Sequence, residues 1–189
     1  MIRPLMLLDV DGPLNPHRAA TPPTSGYQSF HLDGDSFTDP EGRPWQGGLR
    51  VWLDPAHGQM LRALAEMADL VWATAWEHLA NKLVAPVLGL PELPVIHFPH
   101  RNSYPLNQIF KRPEVEAFVG DRPFGWFDDD FQLGDYEWAA ERTRAGRPTC
   151  LRWIDPAVGL TQRDVDLLAE WLDDPFGLRV LEHDGAGRD

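Results

Sequence analysis

The sequence predicts an α/β fold in which a central parallel sheet is covered by helices on both faces. Two observations carry this expectation. Short apolar runs of strand length alternate with stretches whose apolar residues recur at helical spacing, the pattern of repeated βα units. Three of those runs end in polar residues, at Asp9 and Asp11, at Thr74, and at Asp128 and Asp129, as strands do when they deliver side chains to the carboxyl edge of a sheet.

Taken in order, residues 5–10 form an apolar run that ends in acidic residues and Gly12-Pro13, as a strand buried on both faces does on reaching a loop. From Asn15 to about Pro44 the composition shifts to Pro, Gly, Thr, Ser and Asp. Alternating pieces at 27–32 and 49–53 predict a hairpin inserted there as a flap. Asp54-Pro55 reads as an N-cap with proline at the first helical position, and Met60, Leu61, Leu64, Ala65 and Ala68 predict a helix of about four turns. Residues 70–74 are a second strand, 76–87 a helix stopped by Gly89, and 93–98 a third strand. A short helix at 114–119 precedes a fourth strand at 124–127, which runs into Asp128-Asp129-Asp130. The chain closes with a helix at 136–145, a fifth strand at 149–154, and a helix at 161–172 opened by the cap-like Thr161-Gln162-Arg163-Asp164. This order predicts a Rossmann-like three-layer sandwich forming one domain over residues 1–178. The flap at 15–53 is its small insertion, there is no large cap, and a frayed tail follows at 179–189.

Composition narrows the classes. The 189 residues are 43% hydrophobic, enough for one sizeable core. With 17 Lys and Arg against 29 Asp and Glu the formal charge is −12, so the chain gains no counterion-release attraction to nucleic acid, which is disfavoured as a bulk partner. The single cysteine, Cys150, lies in an apolar stretch and reads as core packing in a reducing compartment. The apolar run before Asp9 is too short for a signal segment or a membrane span, so the expected address is the cytoplasm, with no membrane partner.

Phosphoryl transfer needs an in-line nucleophile, a cation for the phosphoryl oxygens, hydrogen-bond donors around them and a proton source for the leaving group. Each need has a candidate at the predicted strand ends. Asp9 supplies a carboxylate able to form an aspartyl-phosphate, and Asp11 can protonate the departing alkoxide and then activate water. Magnesium prefers oxygen ligands, and Asp9, the backbone carbonyl of Asp11 and Asp128 offer them.

Asp9-Val10-Asp11-Gly12, with its apolar lead-in, resembles the first motif of the haloacid dehalogenase-like (HAD) phosphatase superfamily. Thr74, ending Val71-Trp72-Ala73-Thr74, resembles the second-motif hydroxyl that binds the transferred phosphoryl group. Lys111, in Phe110-Lys111-Arg112-Pro113, resembles the third-motif lysine, with Arg112 and Lys82 as rival cations. Asp128-Asp129 resembles the fourth-motif acidic pair, of which Asp128 reaches the metal. The resemblance spans residues 5–155. Trp72-Ala73-Thr74-Ala75-Trp76-Glu77-His78 and the stretch 155–161 are similar to an actinobacterial branch of that superfamily, itself similar to HAD domains of some RNA-repair proteins. Pro13 departs from the usual residue after the motif glycine without removing a catalytic group. The resemblance implies an HAD-like fold, a magnesium cofactor and hydrolysis of a phosphomonoester through Asp9. Asp11 favours phosphomonoester hydrolysis or phosphotransfer, because phosphonate-cleaving and dehalogenating relatives lack the second aspartate.

Blander readings accompany several residues. Thr74 can simply cap the helix that follows, Lys111 can be a solvated lysine, and Asp129 can be a helix-start acid. Trp76 can pack rather than line the pocket mouth with Glu77, His78 and Asn81. The acidic turn at 33–41 has a misplaced glycine and Phe37 where calcium needs an oxygen, so it reads as solvated. His57, His97 and His100 lack metal-like spacing. Tyr27, Phe30 and His31 on the flap either pack or stack over a substrate. Two further functions stay open, a nucleic-acid end-processing phosphatase and an idle magnesium-binding scaffold. In relatives of this build the absence of a large cap is associated with macromolecular substrates or with closure by a partner subunit, so a homodimer also stays open.

Overall fold

A computed structural model of the chain describes residues 2–32, 49–99 and 106–177. The acidic turn at 33–41, His100 and the tail at 179–189 lie outside the described residues. Four strands, β1 (Leu5–Leu8), β4 (Asp69–Trp72), β5 (Phe124–Asp128) and β6 (Thr149–Trp153), form a parallel sheet in the order β4-β1-β5-β6. The flap is an antiparallel pair, β2 (Gln28–Leu32) against β3 (Leu49–Leu53). Helices α1 (Ala56–Ala65), α2 (Ala85–Leu88), α3 (Arg112–Val119), α4 (Leu133–Arg144) and α5 (Gln162–Asp173) complete the described elements.

Alternation along β1 explains the layers. Met6 and Leu8 pack with Leu61, Leu64, Leu88, Val165 and Leu168 of α1, α2 and α5, whereas Leu5 and Leu7 pack with Val115 and Val119 of α3 and, through Phe124, face Trp138 of α4. A strand whose side chains are buried on both faces loses apolar area to water on neither, so an unbroken apolar run is its natural sequence. Gly125 in β5 keeps this packing close, since a Cβ there would lie 2.6 Å from Leu168 Cδ1. Among the described residues no helix is long and apolar enough to cross a membrane.

Three sequence expectations need correction. α1 spans 10 residues, fewer than four turns, because Glu66 and Met67 donate to Ala63 and Leu64 in tightened i to i−3 bonds that swing the chain into β4. The expected helix at 76–87 instead begins as turns and continues as a π-helical segment, Ala80–Val84, before α2. Pro86, which has no N–H to offer the preceding turn, accounts for that widening. Residues 93–98 make only a single bridge, Val95 opposite Trp72. Pro94 can accept from Trp72 N but cannot donate, so no ladder propagates there.

Of the flap residues singled out in the sequence, Tyr27 and Phe30 pack. Tyr27 is buried, sets its ring edge-on against His57 at 5.6 Å and donates to the Val158 carbonyl, while Phe30 lies against the core and His31 is exposed. His57 is itself a core residue whose Nε2 donates to the Leu160 carbonyl. Cys150 is half-buried against the same core.

Candidate active site

The chain leaves β1 toward β4 on one side and crosses back to β5 on the other, so β1 and β5 flank a topological switch point where helices diverge and a crevice opens. Asp9 immediately follows β1 and Asp128 ends β5. Asp9 N still donates to Phe127 O at 3.1 Å, which holds its side chain at the sheet edge. Carboxylate oxygens of Asp9, Asp128 and Asp129 lie within 4.8 Å of one another. Lys111, the residue before α3, reaches between them: its Nζ is 2.6 Å from Asp9 Oδ2 and 2.7 Å from Asp128 Oδ2. Val10 N donates to Asp9 Oδ1 and Asp130 N to Asp128 Oδ1. Thr74, fully buried, donates its hydroxyl to Asp9 and accepts from Trp76 N.

Burial sets the electrostatics. It pushes Asp128 up to about 8 and raises Asp9 as well, with the charge of Lys111 opposing both shifts. Asp129 is raised by partial burial and then by the Asp9 charge. Burial disfavours the Lys111 ammonium, but Asp128 and Asp9 outweigh it and hold the group above its ordinary range. With three carboxylates ionised and Lys111 charged, the cluster carries −3 + 1 = −2, which one divalent cation balances. Octahedral magnesium at about 2.1 Å places its ligand oxygens roughly 3 to 4.2 Å apart. The three carboxylates, with oxygens within 4.8 Å of one another, offer the donor type that a hard divalent cation prefers.

Asp11 stands beside this cluster rather than in it. Trp76 Nε1 donates to Asp11 Oδ2 and Asn15 Nδ2 to Asp11 Oδ1, each at 2.8 Å. Its side chain is oriented from both ends, while Asp129 takes the third carboxylate position. Trp76 thus packs and touches the site at once. Gly12 makes the arrangement possible: its φ is +86°, and a Cβ there would come within 2.5 Å of the Asp129 carboxyl.

The rival cations lie elsewhere, Arg112 on Asp135 and Gly134, and Lys82 exposed on the π-helical segment. Glu77, at the strained φ of +47°, accepts from Phe98 N and pairs with His97, fastening the loop after β4 to the 93–98 segment. His78 lies against the His97 ring, and Asn81 bonds Trp72 Nε1 and both backbone groups of Leu93. Asn15 is the site residue that sequence reasoning passed over. It is 5% exposed, and besides holding Asp11 it accepts from Trp52 N on the flap through Oδ1. Its position four residues after Asp11, between Leu14 and Pro16, carries no motif that marks it.

No protein-family model matches the chain, and no curated protein matches it in sequence.

Proposed function

We propose that the protein is a magnesium-dependent phosphohydrolase that cleaves phosphomonoesters through an aspartyl-phosphate on Asp9, as the HAD-like resemblance implies. The observation that supports this reading best is the buried Asp9–Lys111–Asp128 bridge with Asp129 beside it at the switch point. Asp9, Asp128 and Asp129 would hold the cation, which supplies charge neutralisation for the phosphoryl oxygens. Asp9 attacks phosphorus while the ester oxygen departs with a proton from Asp11. Asp11, again ionised, then takes a proton from water, whose oxygen displaces the Asp9 carboxylate and releases phosphate. Lys111 offsets the charge that builds when a phosphoryl group meets three carboxylates. Trp76 and Asn15 keep Asp11 in position for both proton transfers.

Hydrolysis of phenyl phosphate with and without magnesium, in the native chain and in Asp9→Asn, tests the reading. Magnesium-dependent turnover that disappears in Asp9→Asn is expected. Turnover that persists in the variant sinks the nucleophile, and a native chain inert toward a broad set of phosphate esters sinks the enzyme.

A further inference from the structure

We propose that the cavity beside Asp11 receives the leaving group and selects phosphomonoesters whose leaving group carries a second anionic group, a carboxylate or a phosphate. This rests on the phosphohydrolase reading. The cavity has a volume of about 370 Å³, and Asp11, Asn15, His17, Leu49, Arg50 and Trp52 form its walls. That volume suits a small-molecule group rather than a polymer. Because the proton donor of the proposed reaction forms one wall, a leaving group protonated by Asp11 departs into this space.

The wall chemistry specifies what the space accepts. Asn15 and Trp52 are buried and make a rigid floor, joined by the bond from Trp52 N to Asn15 Oδ1. His17 and Arg50 are exposed at the rim. The Arg50 guanidinium stands 5.0 Å over the Trp52 ring, an arrangement that orients it without neutralising it. Its cross-strand partner on the flap is His31, which brings no negative charge. Among the described residues no carboxylate pairs with Arg50, as none does with Arg18, Arg144 or Arg163, but of these four Arg50 is the one held over an aromatic ring at the wall of this cavity. In a chain with a formal charge of −12, an oriented arginine at a cavity rim offers a ligand a positive charge. Next to four aspartates, it also offsets the repulsion that an anionic leaving group meets on entry.

Equilibrium binding in the presence of magnesium tests this with three probes: benzylphosphonate, 4-carboxybenzylphosphonate and p-xylylenebisphosphonate. The native chain is expected to bind at least one of the latter two up to about fivefold tighter than benzylphosphonate, the scale of one charge pair at an exposed cavity rim. Whichever is favoured identifies the second anion as carboxylate or phosphate. Arg50→Met should bring the ratio to about one. Arg18→Met removes an equal charge next to His17 but outside the cavity wall, and should keep the preference. A native ratio near one, a ratio retained in Arg50→Met, or equal loss in both variants overturns the proposal. Phenyl phosphate hydrolysis, measured separately, judges the parent reading: turnover with a native ratio near one removes the cavity's role alone, and absent turnover removes the hydrolase.

Discussion

Lys111 is 3% exposed and donates to two carboxylates, so removing its charge leaves Asp9 and Asp128 buried and facing one another. Breaking a buried pair by deleting one partner costs about 3 kcal/mol or more. Lys111→Met should therefore lower the melting temperature of the magnesium-free protein by roughly 6 °C or more, recover much of that loss on adding magnesium, and lose phenyl phosphate turnover. An unchanged melting temperature would show that the bridge is solvated. At this scale the sequence was informative where a strand delivers the residue: Asp9, Thr74 and Asp128 are at the cluster because apolar runs end there. It named Lys111 over its neighbour Arg112 by motif resemblance alone, and the direction of the two side chains is fixed only where α3 begins. It offered Asp129 and Trp76 as additional site residues but did not foresee that Asn15, with Trp76, engages both Asp11 oxygens.

At the scale of elements, α1 approaches α2 closely at Gly58. A Cβ there would lie 1.7 Å from the Leu88 carbonyl oxygen, which also accepts from Arg62 Nη1. Replacing glycine by alanine inside a helix ordinarily gains up to about 1 kcal/mol. Here a backbone atom must move, and overpacking of about 1–3 kcal/mol or more outweighs that gain. Gly58→Ala should melt several degrees lower, and a higher melting temperature would show that the helices separate freely. Strand existence was legible from unbroken apolar runs, and the α5 start from its capping box, in which Thr161 and Asp164 bond one another's backbone N–H groups. The 93–98 segment and the 76–87 helix were misread because Pro94 and Pro86 decide hydrogen bonding without disturbing apolar spacing.

For the whole molecule, the buried acids link stability to pH, and on the proposed reading a proton and a cation would compete for them. Asp128 is raised by burial from its unfolded value of 3.8 to about 8. A raised group stabilises the fold fully below its unfolded pKa, and that contribution is lost as pH rises through the folded one. The cation-free protein should therefore lose stability between pH 4 and pH 8, with Asp9 shifted in the same direction. Lys111 titrates above this window and leaves its slope unchanged. If magnesium binds as proposed it takes the place of the proton, so the rise in melting temperature on adding it should grow from pH 6 to about 8 and then level off. A magnesium effect independent of pH across that range would show that the cation binds away from Asp128. What the sequence by itself determined was the order of the βα units, the flap between the first strand and the first helix, and the acids at strand ends. All of these follow from the periodicity of neighbouring residues. Only the tertiary structure decided how Lys111 bridges the acids, that Asn15 holds Asp11 and which arginine overlooks the cavity. Residues 9, 111 and 128 meet through sheet pairing and helix packing, and no local pattern encodes distances between them.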